Sequence, residues 1–306
     1  MSRQFKVEMK KRFSMSDLGL LSYYLGIEVK QGRDGITLSQ NAYAMKILES
    51  AGMMKCNPCG TPMEARLKLS KKCEDEVIEP TAYRSVIGSL RYLVNTRPDI
   101  AFAVGVVSRF MEAPTKDHWV AVKHILRYLK GTIGYGCKYG RDTELKPFLL
   151  GFSDSDFAGD SEDRKSTTGV AYFLGKNLVT WASQKQKIVA LSSCEAEYVA
   201  GATAACQGIW LSRLVGELMG IGETPVKLLM DNMSAIALSK NPVHHDRSKH
   251  IDTKYHFLLE CIEEGKVEVD HVGTANQLAD IFTKSLGRVR FVELRRALGV
   301  VDVQQV

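Results

Sequence analysis

Apolar positions recur along this chain in two periods, and the switches between them mark its elements. Phe5 to Arg12 mixes charged and apolar residues and predicts an exposed helix. Ser14 to Gly19 is turn chemistry, and Tyr23 to Val29 predicts a strand. Gln31 to Gly35 predicts a hairpin turn, with Asp34-Gly35 as its strongest signal, and Ile36 to Ser39 is the return strand. Gln40 to Ala51 predicts a helix with Tyr43, Ile47 and Leu48 near one face, stopped by Gly52. Arg66 to Glu79 is charged and loop-like, and is the natural boundary. Three helices follow. The first, Thr81 to Asn95, carries Tyr83, Ile87, Leu90 and Val94 on one side. The second, Pro98 to Met111, opens on Pro, whose missing N–H costs nothing at a helix start. The third, Asp117 to Lys130, has Asp117 as its cap and Val120, His124 and Tyr128 along one face.

The second half alternates strand and helix patterns. Leu149 to Asp154, Val170 to Leu174 and Ile188 to Leu191 predict strands, with Asn177 to Trp181 in a second hairpin. A helix starts at Ser192 and runs to about Met219, with Trp210, Leu214 and Leu218 as its expected buried stripe. Val226 to Met230 predicts a strand, Ser234 to Lys240 a helix, Thr253 to Glu264 a helix and Val267 to Asp270 a strand. Thr274-Ala-Asn-Gln277 fits a capping box and places Asp280 in the second turn of a short helix.

Composition narrows the class. The 306 residues allow about two domains at roughly 150 residues each. At 45% apolar and 25% charged, the chain has an ordinary globular make-up. A net charge of +6 permits a nucleic-acid partner without demanding one. Seven cysteines, an odd number with no framework spacing, suit a reducing compartment. No signal peptide opens the chain and no apolar run reaches the ~20 residues of a membrane span. The expected location is cytoplasmic, with the nucleus as the alternative.

The candidate chemistry is acidic. Asp154 and Asp231 each follow an apolar strand, Glu197 lies just inside the long helix, and Asp280 sits in the short one. Four carboxylates brought to one point repel one another unless cations join them. Hard oxygen ligands suit two Mg²⁺ or Mn²⁺ ions, which permit phosphodiester hydrolysis. Glu195 competes for the second position, but Ser192-Ser-Cys-Glu195 is a capping box that gives it local work and leaves Glu197 free to point at the sheet. Lys165, Ser166 and Thr167 lie in a basic, hydroxyl-rich turn that suits backbone phosphates, as it also suits a plain hairpin turn. Arg91, Arg97, Arg109, Lys123, Arg127 and Lys130 form either a basic surface over a duplex or a solvated face. Cys56-Asn-Pro-Cys59 reads as a loop, because no second ligand pair follows it at zinc spacing. The histidines of Asn241 to Asp252 lack cysteine partners for a zinc finger.

Several ordered runs carry a resemblance. Leu18-Gly19 to Leu25-Gly-Ile-Glu28, Leu38-Ser-Gln40, Tyr83-Arg-Ser-Val-Ile-Gly-Ser-Leu-Arg-Tyr92, Thr96-Arg-Pro-Asp-Ile100 and Arg127-Tyr-Leu-Lys-Gly-Thr132 resemble the polymerase-to-ribonuclease-H span of copia-type (Pseudoviridae) retrotransposon Pol polyproteins. Glu197-Tyr-Val-Ala200, Asp231-Asn232 and Asn276-Gln-Leu-Ala-Asp280 resemble acidic motifs of ribonuclease H. The resemblance implies an α/β fold: a ribonuclease H-like mixed sheet flanked by helices, preceded by a helical connection and a partial reverse-transcriptase segment. It implies reverse transcriptase over 1–66, a helical thumb or connection over 67–146, ribonuclease H over 147–287 and a C-terminal helix and tail over 288–306. It also implies RNA-strand hydrolysis in RNA–DNA hybrids, with Asp154, Glu197, Asp231 and Asp280 as metal ligands. The signature His245-Asp-Arg247-Ser-Lys249-His250-Ile-Asp252 is read as a basic loop beside the hybrid, with Arg247, Lys249 and His250 on phosphates. His271 ends a strand and receives no catalytic role. The polymerase's Tyr/Phe-x-Asp-Asp pair is missing from this chain, so no polymerase activity is expected. The hairpin and helix of 1–66 would then lack the sheet they pack on and be easily proteolysed. The alternative function is a non-catalytic remnant that at most binds nucleic acid.

Overall fold

Two five-stranded sheets organise the chain in the computed structural model, which describes residues 2–71, 76–141, 148–240 and 257–305. The first sheet is antiparallel, in the order β1 (Tyr23–Tyr24), β2 (Ile27–Gln31), β3 (Gly35–Ser39), β4 (Tyr135–Gly140) and β10 (Val300–Asp302). The strand expected from Tyr23 to Val29 is broken at Leu25 and Gly26. Both have positive φ, 48° and 84°, and fold β1 back onto β2. Tyr92 donates its hydroxyl to the Leu25 carbonyl and holds that turn.

This sheet corrects the expectation that the hairpin has nothing to pair with. β3 pairs with β4 from Gly35↔Gly140 to Ser39↔Gly136. The sequence concealed β4 because Tyr-Gly-Cys-Lys-Tyr-Gly is poor in β-branched residues. Helix α2 (Asn41–Ser50) buries Ala44, Ile47 and Leu48 against α3 (Pro80–Leu93) and α5 (Lys116–Gly131). Upstream of β2 the picture differs: α1 (Ser2–Arg12) is followed by Phe13, Leu18, Leu20 and Leu21, all exposed. Limited proteolysis should therefore cut between residues 13 and 22 and spare 27–50. Equal cleavage in both stretches would contradict this packing.

The middle helices form largely where the periodicity puts them. α3 is capped by the Glu79 carboxylate, which accepts from the Thr81 and Ala82 N–H groups at 2.9 and 3.2 Å. It buries Tyr83, Ile87, Leu90 and Leu93. The expected helix from Pro98 to Met111 is instead α4 (Ala101–Val107) between two 3₁₀ turns. In α5 the cap is Thr115, not Asp117, and the buried face is turned from the expected one. Ala121, Val122, Ile125, Leu126 and Leu129 point inward with Tyr128, while Val120 is exposed. The denser apolar stripe sets the orientation.

Arg97 is no surface cation. It is 1% exposed. Its guanidinium forks onto Asp99 at 2.9 and 2.8 Å and reaches the Thr132 carbonyl and hydroxyl at 2.8 Å. Tyr128 donates to the same Asp99 at 2.6 Å, and Arg295 from α9 (Arg288–Ala297) donates to the Tyr128 hydroxyl at 3.0 Å.

The second sheet has the order β7-β6-β5-β8-β9: β7 (Asn177–Lys185), β6 (Thr167–Leu174), β5 (Leu149–Ser155), β8 (Val226–Met230) and β9 (Val267–His271). β6 runs antiparallel to both β7 and β5, and β8 and β9 continue parallel to β5. This is a mixed sheet, as expected of the second half. The apolar run Ile188 to Leu191 adds no strand. β7 is the sheet edge, and Val189 and Leu191 are exposed.

Helix α6 (Ser193–Met219) covers one face of this sheet, and α4 approaches the other at β7. The expected stripe of α6 is wrong. Trp210, Leu214 and Leu218 are 56%, 37% and 77% exposed. The buried face is made of small residues, among them Ala196, Ala200, Ala204, Ala205 and Gly208, with Tyr198. A Cβ at Gly208 would stand 2.4 Å from the Tyr172 hydroxyl, so glycine there lets the helix lie close on the sheet. One apolar core runs without a break from α2–α5 to Phe152, Phe173, Ile281, Phe282 and Leu294. A second fills the space under α6.

Asp160 ties the two parts together. It accepts from Lys185 at 2.6 Å, from Arg109 at 3.1 Å and from the Glu162 N–H at 2.9 Å. Burial alone would raise its pKa, but these partners outweigh it and hold the carboxyl at about 2. A depressed carboxyl stabilises the fold above its unfolded value of 3.8, and that contribution is lost as pH falls toward 2. Asp160→Asn should cost about 2 kcal/mol at neutral pH. The difference from wild type should close below pH 3 in urea titrations, and a pH-independent difference would contradict the assignment.

Candidate active site

Strand β5 lies at the centre of its sheet, and its penultimate residue, Asp154, is 2% exposed. The parallel neighbour β8 ends beside it, which sets Asp231 at the same end of the sheet. The N-terminal turns of α6 bring in Glu197, 5% exposed. Ligand-competent oxygens of Asp154, Glu197 and Asp231 all lie within 4.8 Å of one another. Asp280 enters from the other side on a 3₁₀ turn, Leu278–Phe282, and is also buried.

The sequence expectation of one capped helix here is corrected. Thr274–Asn276 forms a separate 3₁₀ turn, and Gln277 begins the next. Its fully buried side chain donates to the Ser153 carbonyl at 2.9 Å and accepts from the Ala279 N–H at 3.2 Å. This pins the Asp280 turn to β5. Gly169 on β6 makes room for it: a Cβ there would meet Thr283 at 2.6 Å and the Ala279 carbonyl at 2.8 Å.

The carboxylates are individually positioned. The Ser155 N–H donates to Glu197 Oε1 at 3.0 Å, while Glu197 Oε2 is buried without a hydrogen-bond partner among the described residues. Gln186 braces this corner, donating to Ser155 Oγ, Thr168 Oγ1 and the Ala196 carbonyl at 3.2, 3.1 and 2.9 Å. The Thr283 hydroxyl donates to Asp154 Oδ2. Asn232 does not join the site. Its side chain accepts from the Ser234 and Ala235 N–H groups and caps α7 (Met233–Lys240).

Glu195 is buried too, but it has other work. It accepts from the Leu191 N–H at 2.7 Å, while its own N–H donates to the Ser192 hydroxyl at 3.1 Å. The reciprocal bond thus reaches one residue further back than the capping-box pattern implied.

Electrostatics favour an added cation. Burial raises the pKa of Glu197, and neighbouring Asp154 and Asp231 raise it further. Burial and the charge of Asp280 raise Asp231, against a partial offset from Lys284. Burial raises Asp280 as well, with Lys284 opposing and Asp154 adding to the shift. An orphaned buried carboxylate oxygen within a crowded set of like charges fits hard divalent ions.

The other sequence candidates fall elsewhere. Ser166 and Thr167 are buried, at 0% and 1% exposure. Ser166 Oγ accepts from the Ala158 N–H, and Thr167 Oγ1 accepts from Arg109. They brace the turn and cannot face a phosphate. Lys165 remains partly exposed beside Asp163. Arg247, Lys249 and His250 lie outside the described residues. His271 closes β9, as expected.

Sequence reasoning missed Gln277, Thr283, Lys284 and Arg290. Lys284 Nζ lies 2.7 Å from Asp280 Oδ1 and 3.7 Å from Asp154 Oδ2, and Arg290 lies 3.7 Å from Asp280 Oδ2. The i,i+4 spacing of Asp280 and Lys284 was the available signal.

Known proteins bear on this geometry. Residues 1–65 match the reverse transcriptase (RNA-dependent DNA polymerase) family. The chain is 41% identical over 296 residues to the retrovirus-related Pol polyprotein from transposon RE2 of Arabidopsis thaliana, across 96% of this chain and 20% of that protein. It is 40% identical over 306 residues to the Pol polyprotein from transposon TNT 1-94 of Nicotiana tabacum, across 97% of this chain and 23% of that one. The chain thus spans about a fifth of the length of these relatives. The solved N-terminal RNase H domain of rv2228c from Mycobacterium tuberculosis, a fusion with maltose-binding protein, aligns over 50% of this chain and 99% of that one. Its identity is 13% and its TM-score 0.33, too low to carry an argument. The chain joins a segment that matches the reverse transcriptase family to a mixed five-stranded sheet that carries the acidic cluster. Over nearly its whole length it is similar to one stretch of these retrotransposon Pol polyproteins.

Proposed function

We propose that this chain is a ribonuclease H that hydrolyses the RNA strand of RNA–DNA hybrids with two Mg²⁺ or Mn²⁺ ions. One observation carries the reading: four acids from four separate elements converge at the end of the central strand, three of them within 4.8 Å. Asp154, Glu197, Asp231 and Asp280 would hold the ions. When bound, such ions lower the pKa of an attacking water and neutralise charge on the leaving 3′-oxygen.

The protein's own part is positioning. Asp154 sits where both sides of the cluster meet, oriented by Thr283. Glu197 keeps one oxygen on the Ser155 N–H and leaves the other without a protein partner. Gln277 and Gly169 set the approach of Asp280 to β5 and β6. Lys165 is the exposed member of the hydroxyl-rich turn available to a backbone phosphate, and Arg247, Lys249 and His250 are the other phosphate-contact candidates. Selection of the RNA strand would come from 2′-hydroxyl contacts across a wide minor groove.

The test is incubation of the full chain with an end-labelled RNA–DNA hybrid and Mg²⁺ or Mn²⁺. The reading predicts RNA fragments that disappear with chelator. Hybrid binding by folded protein without cleavage would instead indicate a non-catalytic remnant.

A further inference from the structure

A cation of the protein's own sits within the acidic cluster. Lys284 reaches it from the residue after Thr283, with its ammonium 2.7 Å from Asp280 Oδ1 and 3.7 Å from Asp154 Oδ2. Both carboxylates are buried, with side chains 6% and 3% exposed, whereas the lysine side chain is 43% exposed. Its two carboxylate partners both belong to the set read as metal ligands. We propose that Lys284 is a displaceable counter-cation, holding Asp154 and Asp280 together in the metal-free protein and yielding to divalent ions. This rests on the reading of the four acids as a metal site.

Two contrasts support it. The fixed cations of this protein are differently built. Arg97 is 1% exposed and makes four hydrogen bonds in the core. Arg109 bonds both Asp160 and Thr167. Lys284 has a compact ammonium on a flexible four-carbon stem and direct access to water, so it can leave without stranding a buried charge. The second contrast is positional. Arg290 also faces Asp280, but at 3.7 Å from the other oxygen, with further bonds to Glu293 and the Thr274 carbonyl. Arg290 is anchored outside the cluster, and Lys284 is not anchored to any other acid among the described residues. Any ion held by both Asp154 and Asp280 must share the region of charge that the ammonium now neutralises. Lys284 would therefore keep the metal-free site folded and set the metal concentration needed to fill it.

The test measures Mn²⁺ binding and thermal unfolding of the full chain, without nucleic acid. Wild type is compared with Lys284→Gln, Lys284→Met, Lys284→Arg and Asp154→Asn. Lys284→Gln and Lys284→Met should bind Mn²⁺ about tenfold more tightly, equivalent to about 1.4 kcal/mol. They should melt lower than wild type in chelator and gain more from added Mn²⁺. Lys284→Arg, which keeps the charge, should bind Mn²⁺ no more tightly than wild type. Binding by both neutral variants within twofold of wild type, or weaker, would overturn the proposal. A wild type that binds no Mn²⁺, or an Asp154→Asn variant that binds as well as wild type, would sink the metal-site reading itself.

Discussion

Asp154→Asn should lower metal-dependent cleavage of an RNA–DNA hybrid by more than about a hundredfold and leave the protein folded. The size follows from position. Even partners one step removed from a metal ligand are worth 10- to 100-fold, and Asp154 lies within ligand reach of Glu197 and Asp231 and acts on Asp280 as well. The substitution keeps shape and one oxygen for the Thr283 hydroxyl, but removes the charge. The matched control is Glu195→Gln. Glu195 is buried two residues before Glu197, yet its carboxylate serves the Leu191 N–H at the head of α6. It should cost about 1 kcal/mol of stability as a lost cap contact and leave the cleavage rate nearly intact. Rates with unfolding curves for both variants check this. Comparable loss of cleavage in Glu195→Gln would mean that the two glutamates have been assigned the wrong way round.

The largest expected effect on stability is at Asp99. Asp99→Ala leaves the Arg97 guanidinium in the core with its fork unanswered, and takes the acceptor from the Tyr128 hydroxyl. Removing one partner of a buried pair typically costs about 3–5 kcal/mol, a large share of the ~5–15 kcal/mol that holds a domain together. The network joins α5, the 3₁₀ turn at Pro98–Ile100 and α9, so the loss should be global. Chemical denaturation should show a midpoint shift with an unchanged slope. The double variant Arg97→Met/Asp99→Leu should recover part of the loss, because the Arg97 guanidinium is then no longer left without its carboxylate. A single Asp99→Ala change costing under 1 kcal/mol would show that the pair is not what braces these elements.

The acids were legible and their supports were not. Each of the four stands at the end of an apolar strand or at the start of a helical turn, a pattern that local periodicity reveals. The buried face of α6 is hidden from a pattern of large apolar residues because small ones form it. Here closeness to the sheet matters more, so Ala200, Ala204 and Gly208 go in and Trp210 and Leu218 stay out. Strand β4 carries no strong strand signal of its own and exists through its pairing with β3 and β10. Ser166 and Thr167 looked like a phosphate-binding turn, because hydroxyls that bind phosphate and hydroxyls that brace a turn are the same residue types. Arg97 looked like a surface cation because its acceptors, Asp99 and the Thr132 carbonyl, are only brought together by folding.

The central claim is tested most directly by strand-specific cleavage. The full chain is incubated with an RNA–DNA hybrid carrying different labels on its two strands, with Mn²⁺ or Mg²⁺ and then with chelator. The account predicts fragments of the RNA strand alone, only with metal, and none from the same sequence as duplex DNA. Cleavage that persists in chelator, or a folded protein that binds metal and hybrid yet leaves the RNA intact, would contradict it.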